Sequence, residues 1–229
     1  MTTLERIQAF AQSVSLIRSG KFIEDITGID GADYVNKVIE WTNQLVPELE
    51  SEADWNSLRD NDYILGTASA GARYIYLPDD VRKLVYAPLR KLVISQDGTP
   101  VSYWDVIAPN MIVSNSSVQR CVTVVGRKVI FSRPLTDAEA NGEITADVVF
   151  YMPTISLTNV DLLDTFEPKQ LLVLGVAKNA TLPDLVQGET SASFAQKYSD
   201  ELSKSVAIND ASSQAEYTVY DDLSYISGV

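Results

Sequence analysis

The spacing of apolar residues changes twice along the chain, and each change limits which fold the chain can adopt. Residues 3–46 place apolar side chains every three or four positions, residues 72–150 alternate at about every second position, and residues 162–207 return to the first spacing. A spacing of three to four lines one face of a helix, whereas a spacing of two lines one face of a strand. The sequence therefore predicts helices at both ends and strands between them.

Helical spacing predicts two helices near the start of the chain. We expect the first over residues 3–19, where Thr2 and Glu5 have the spacing of a capping box. The second is predicted from near Ala32, and Pro47 either ends it or opens a following turn, because proline cannot donate the hydrogen bond that a helix interior needs. The predicted core stripes are Leu4, Ile7, Phe10, Val14 and Ile17, and then Val35, Val38, Ile39, Thr42, Leu45 and Val46.

Five segments in the middle of the chain are enriched in β-branched and aromatic residues, as strands are. Their sequences are ARYIYLP, LRKLVISQ, VQRCVTVV, RKVIFSR and EITADVVFY. Asp97-Gly98 and Gly126-Arg127 lie between such runs and suit two-residue hairpin turns, since each pair offers a residue that tolerates positive φ. We therefore expect two antiparallel hairpins.

The last third of the chain predicts two more helices and a tail. The first is an apolar segment that runs to about Lys178 with Pro168 in its first turn, and the second covers residues 190–207. The stripe of the second helix is Phe194, Tyr198, Leu202 and Val206. Residues 208–229 have no stable helical period but keep several apolar side chains, so we expect an extended arm that docks on a neighbour, with simple fraying as the alternative.

Composition excludes several classes of function. The 229 residues contain no histidine, the most common general base and metal ligand, and the single Cys121 cannot form an internal disulfide. Cys121 is flanked by apolar residues and is expected to be a buried, unreactive side chain. The net charge of −13 repels nucleic acid and anionic membranes. With no secretory signal and no apolar run of about 20 residues, we expect synthesis inside the cell under reducing conditions.

Three motifs resemble catalytic or ligand-binding sites but lack essential parts. GTASAG, at residues 66–71, has no Lys-Ser/Thr after its second glycine, and Ser69 within it has no histidine to accept its proton. Asp60 and Asp62 lack the ligands that would complete a calcium loop. Paired carboxylates, which we interpret as turn and cap residues, occur at Asp60 and Asp62, Asp79 and Asp80, and Asp221 and Asp222. We expect no catalytic residue, cofactor or metal, and no enzyme activity.

The stretch YIYLPDDVRKLVYAPLRKLVI combines a strand end with positive charge. Pro78 should end one strand, and Asp79 and Asp80 should accept hydrogen bonds from the backbone N–H groups of Val81 and Arg82, which predicts one helical turn. The side chains expected to stay outside the core form a basic rim of Arg82, Lys83, Arg90 and Lys91. This stretch therefore predicts a shape with a charged border rather than a reaction centre.

The order of several short segments resembles a known family. WNSLR at residues 55–59, a loop of small residues, ARYIYLPDDVRKLV and a hairpin with DG are followed by FSRPLT, VVFYMP, LLVLGVA and SFAQKYSDELSKSVAIND, and two predicted helices precede them. In this order the chain resembles, over most of its length, the head-to-tail adaptor (connector) proteins of tailed bacteriophages.

The resemblance implies a fold and a role. The fold would be α+β, with N- and C-terminal helices forming a small helical bundle, an inserted antiparallel β-region and an extended C-terminal arm. We expect one domain over residues 1–207, with helices over about 3–60 and 160–207 and a β-region over about 72–152, followed by an arm over 208–229. Family members form rings, commonly of twelve copies, that join the portal to the tail in the neck of the virion and have no catalytic activity.

The partners implied are other copies of the chain, the portal protein, and tail or neck proteins, with DNA passing through the lumen without sequence-specific binding and no membrane contact. An acidic channel wall would suit passage because it repels phosphate. The predicted interface residues are Asp79, Arg82, Lys83, Arg90, Lys91, Tyr217, Tyr220, Leu223, Tyr225 and Ile226.

Other functions remain open from the sequence. A tail-completion or neck protein would share the ring but bind the tail. A carbohydrate-active enzyme would need a facing pair of carboxylates in a pocket. A glycan-binding β module would use Trp104 and Tyr103 as a platform, although burial of Trp104 in the core is the simpler interpretation.

Overall fold

A computed structural model describes residues 2–19, 29–85, 91–108, 120–180 and 191–224. The helices are α1 (Thr3–Ser19), α2 (Ile29–Glu52), α3 (Asp161–Thr165), α4 (Lys169–Asn179) and α5 (Ser191–Ser224). The strands are β1 (Arg59–Thr67), β2 (Tyr74–Tyr76), β3 (Val81–Leu84), β4 (Lys91–Gln96), β5 (Thr99–Val106), β6 (Cys121–Val125), β7 (Lys128–Phe131) and β8 (Glu143–Phe150).

The chain divides into two compact units. The helical unit consists of Met1–Ser57 and Met152–Glu216, and the sheet unit consists of Leu58–Tyr151 with the part of α5 from Tyr217 onward. The expected single domain over residues 1–207 stays a prediction, because the compactness of two units does not decide whether they fold independently. Within the described residues, no helix combines the length and the apolar character that a membrane crossing needs.

The N-terminus of α1 confirms the predicted capping box. The Thr2 backbone N–H donates to Glu5 Oε2 at 2.7 Å, and the Glu5 N–H donates to Thr2 Oγ1 at 3.3 Å. The stripe is partly wrong, since Ile7 and Val14 are buried but Leu4 is exposed. Its buried face is completed by Ala11, whose small side chain lets another helix pack closely.

Pro47 does not end the second helix, which corrects the sequence prediction. The helix α2 continues five residues further, to Glu52, and Pro47 lies inside it. Leu45 and Leu49, on either side of the proline, are fully buried. Their burial offsets the hydrogen bond that proline removes.

Helix α4 packs closely against its neighbours in the helical unit. A Cβ atom added to Gly175 would lie 2.4 Å from Cδ2 of the buried Leu45. Only glycine allows the two elements to approach so closely. The apolar segment LLVLGVA is therefore a buried helix, as its composition predicts.

The sheet unit is built on one curled, eight-stranded sheet that forms a half-barrel. The strand order is β1-β8-β4-β5-β6-β7-β2, and β3 also pairs with β8. Both predicted hairpins are confirmed. Asp97 and Gly98 have φ values of 49° and 75° between β4 and β5, and Gly126 has φ of 61° between β6 and β7.

The expected fold class, a small helical bundle with an inserted antiparallel β-region and an extended arm, is wrong. The sheet dominates the chain, and the helices come mainly from the two ends of the sequence. The sheet buries a core of its own, which includes Leu92, Trp104, Phe131 and Ile144, so it is not an insert that a bundle supports. It is also not wholly antiparallel, because β5 and β6 are parallel.

Over residues 208–224, the predicted extended arm is helix instead. The helix α5 runs through to Ser224, well beyond the predicted end at Ala207. No glycine or proline interrupts the sequence between Ser191 and Ser224, so nothing forces the backbone out of the helix. The lack of a stable apolar period after residue 207 therefore did not exclude helix.

Candidate interaction surface

One face of the sheet covers the core, and the opposite face, which we call the outer face, carries exposed apolar side chains. Ile64 of β1, Thr145 of β8, Val93 of β4 and Tyr103 of β5 are direct cross-strand partners and form one row on this face. The two ends of the row, Ile64 and Tyr103, are 55% and 52% exposed. A row of mostly apolar side chains thus crosses four strands of the outer face.

A second row lies at the β2 end of the sheet. Tyr76, Lys128 and Val125 are cross-strand partners on β2, β7 and β6, and all three are exposed. Tyr74 lies two residues before Tyr76 on the same face, and their rings are edge to face at 5.6 Å. Lys128 Nζ lies 4.7 Å from the Tyr74 ring centroid and 5.6 Å from that of Tyr76. We call these four residues the tyrosine-lysine strip.

The turn that follows β2 is fixed by Arg127. Its Nη2 donates to the carbonyl oxygens of Leu77 at 2.9 Å and Pro78 at 2.6 Å. The same nitrogen lies 3.0 Å from Oδ1 of Asp79, whose side chain is fully exposed. The β6–β7 hairpin therefore holds the end of the strip in place through one guanidinium group.

The Asp79-Asp80 pair does not start a helical turn, which corrects the prediction. Val81 N–H donates to the Pro78 carbonyl at 3.0 Å, which makes a tight turn, and β3 begins at once. Asp80 Oδ2 accepts a hydrogen bond from the Tyr63 hydroxyl at 3.2 Å. Burial, together with the Asp80 carboxylate, raises the pKa of Tyr63.

Three of the four residues of the predicted basic rim lie within the described part of the chain. Arg82 and Lys83 lie on β3 and are half-buried. Lys91 lies on the outer face, where its Nζ is 3.7 Å from Oδ1 of its cross-strand partner Asp105. Arg90 lies outside the described residues.

The predicted C-terminal interface residues are only partly placed. Tyr217, Tyr220 and Leu223 lie on α5, whose side chains are described as far as Ser212. Tyr225 and Ile226 lie outside the described residues.

The residues considered for catalysis or ligand binding lie in the core or in a loop between strands. Cys121 is buried, as predicted. Ser69 lies in the loop between β1 and β2, where its carbonyl accepts a hydrogen bond from the Ala72 N–H at 3.1 Å. Trp104 is fully buried against Phe131, with the ring centroids 4.9 Å apart, so it cannot belong to a glycan platform.

A largely buried ion pair that sequence reasoning missed lies against the ring of Trp104. Arg133 donates from both terminal nitrogens to the Glu139 carboxylate at 3.1 Å, and its guanidinium stacks over the Trp104 ring at 4.8 Å. Burial alone would raise the pKa of Glu139, but hydrogen bonds from Arg133, Thr136 and Ser102 lower it to about 2. This network stabilises the sheet core.

The helical unit has a groove of about 360 Å³ beside α5. Two carboxylates line it, and each has a lysine partner: Glu167 with Lys169 at 3.7 Å and Glu201 with Lys204 at 3.6 Å. Among the described residues, no three histidine, cysteine, aspartate or glutamate side chains are grouped so that they could hold a metal ion.

The sequence has no match among protein-family models, and no curated protein is significantly similar to it. The tyrosine-lysine strip is therefore defined by geometry alone. Sequence reasoning missed its residues because the spacing within one strand does not identify the strand that pairs with it. The Tyr-Ile-Tyr alternation and the Gly126-Arg127 turn were visible, but pairing between β2 and β7 was not.

Proposed function

We propose that this chain is a structural protein of a tailed-phage virion, a head-to-tail adaptor that forms a ring in the neck, joins portal to tail and lets DNA pass. The observation that carries the proposal is the outer face of the sheet. Of the eleven exposed large apolar side chains in the described residues, seven belong to the sheet unit: Ile64, Tyr74, Tyr76, Val101, Tyr103, Val125 and Tyr151. Rows of exposed apolar and aromatic side chains are typical of protein interfaces.

The placement of these side chains supports contact with protein. Single exposed apolar residues are normal. Here, however, the side chains within each group lie beside one another on paired strands, both in the row of Ile64, Thr145, Val93 and Tyr103 and in the tyrosine-lysine strip. Tyrosine is enriched at interfaces because its ring is large and rigid while its hydroxyl stays hydrated. In a ring, every copy contributes the same surfaces to the contacts with its neighbours.

The net charge supports a lumen that DNA can cross. The net charge of −13 opposes tight binding of a phosphate backbone, and the tyrosine-lysine strip contributes one cation against it. The helical bundle that the resemblance implies is not the body of the molecule. The proposal therefore rests on the surfaces and on the order of the sequence segments.

Electron microscopy of the purified chain at low and high concentration tests the proposal. We expect closed rings with a central opening at high concentration, and rings bound to portal protein when the two are mixed. Rings that capture tail protein but not portal would instead assign the chain to tail completion. Single subunits at every concentration, alone and with portal and tail proteins, would contradict the proposal.

A further inference from the structure

The strand β2 ends the sheet and exposes backbone hydrogen-bonding groups. Arg73 O accepts from the Phe131 N–H and the Leu77 N–H donates to Arg127 O, each at 2.9 Å. In an antiparallel pair, alternate residues bond to the partner strand, so the backbone groups of Tyr74 and Tyr76 point away from β7. Within the described sheet β2 has no other neighbour, so it can accept one.

The side chains around this edge are basic on a strongly acidic molecule. Arg73 and Lys128 are exposed, and Arg127, which precedes Lys128 in the hairpin, pairs with the exposed Asp79. These cations contrast with the net charge of −13. They favour an acidic partner strand over most other surfaces.

The opposite edge of the same sheet is acidic. The strand β1 pairs only with β8 in the described sheet, and Asp60, Asn61 and Asp62 are exposed along it. Two register shifts interrupt its pairing, one between Asp60 and Tyr63 and one between Ile64 and Gly66. The exposed aspartates discourage pairing with a copy of the same edge, because like charges placed opposite each other repel.

We propose that the β2 edge of one copy lies alongside the β1 edge of the next copy, with Lys128 and Arg73 facing Asp60 and Asp62. This inference rests on the proposed ring, and the contact is the interface between the sheets of neighbouring copies. Two β1 edges would oppose aspartates and two β2 edges would oppose cations, so charge selects the unlike pair. A contact between two different surfaces repeats head to tail and closes when the rotation allows, which is how a ring forms.

Charge reversal tests the contact in the full chain. Lys128→Glu places an acid on the basic edge, and Asp60→Lys places a base on the acidic edge, so each variant should need at least about tenfold more protein to assemble. A mixture of the two variants should assemble near the wild-type concentration, with the variants alternating, because each supplies the edge that the other lacks. The chain with both reversals should also assemble. Native mass spectrometry measures all four samples.

Two control variants with the same charge changes lie on exposed positions of α2: Lys37→Glu and Asp33→Lys. Both should assemble like wild type. If either single reversal assembles like wild type, or if the mixture does not restore assembly, the edge contact is wrong. Rings formed by wild type in that case would leave the proposed function standing, whereas wild-type chains that never assemble would overturn both proposals.

Discussion

Glu139 shows how much one buried charge contributes to the sheet unit. Its carboxylate accepts hydrogen bonds from both Arg133 nitrogens and, at 2.8 Å, from the Thr136 N–H and hydroxyl. These bonds favour the ionised form and bring its pKa to about 2 despite burial. Because the folded pKa lies below the usual value of 4.5, this stabilisation is present above pH 4.5 and is lost as pH falls toward 2.

We expect Glu139→Gln to lower the free energy of unfolding by about 3 kcal/mol at pH 6.5, because it leaves the half-buried Arg133 guanidinium without its carboxylate. The difference from wild type should shrink as pH falls from 4.5 to 2.5. Urea denaturation followed by tryptophan fluorescence measures both values. Glu143→Gln, on an exposed position of β8, is the control and should change little. A difference that stays constant with pH would contradict an ionised Glu139.

Local residue pairs were predictable, and distant ones were not. Thr2 and Glu5 are three residues apart, so their capping box could be read directly from the sequence. Asn209 is nearly buried, donates to the Asp54 carbonyl at 3.0 Å and accepts from the Asn56 N–H at 2.7 Å. No local pattern marks an asparagine whose partners lie more than 150 residues earlier in the chain.

At the scale of elements, the tyrosine-lysine strip depends on the β6–β7 hairpin. Arg127 supplies hydrogen bonds to two backbone carbonyls of the turn after β2, and only its third contact is an exposed ion pair. Arg127→Ala should lower the free energy of unfolding by about 1–2 kcal/mol, since the turn loses bonds from a charged donor. Urea denaturation measures the effect.

Asp79→Asn is the matched variant for this element. It removes only the exposed ion pair with Arg127, so it should change the free energy of unfolding by less than about 0.5 kcal/mol. Equal losses in the Arg127 and Asp79 variants would show that the ion pair, rather than the backbone contacts, holds the turn.

Element types were predicted better than element ends. The two hairpins were marked by residues that tolerate positive φ, and these turns are where expected. The ends of α2 and α5 were wrong because burial of Leu45 and Leu49 overrides a proline, and because a weak apolar period after residue 207 is compatible with helix. Local propensity sets neither outcome.

At the scale of the whole molecule, the sequence predicted five of the eight strands, missed β1, β3 and β5, and did not predict the sheet. The strand β8 pairs with β1, β3 and β4, which come from three separate places in the chain. Such pairings depend on which faces bury together, and the spacing within each strand carries no information about its neighbour. The outer face and its two unlike edges therefore became visible only in the folded sheet.

The central claim is that this chain acts through contacts between its own copies. Native mass spectrometry of the wild-type chain across a range of concentrations tests it most directly. We predict one closed assembly, at a fixed multiple of the subunit mass, that replaces the monomer as concentration rises. A monomer at every concentration, or an unlimited ladder of growing oligomers, would contradict the account.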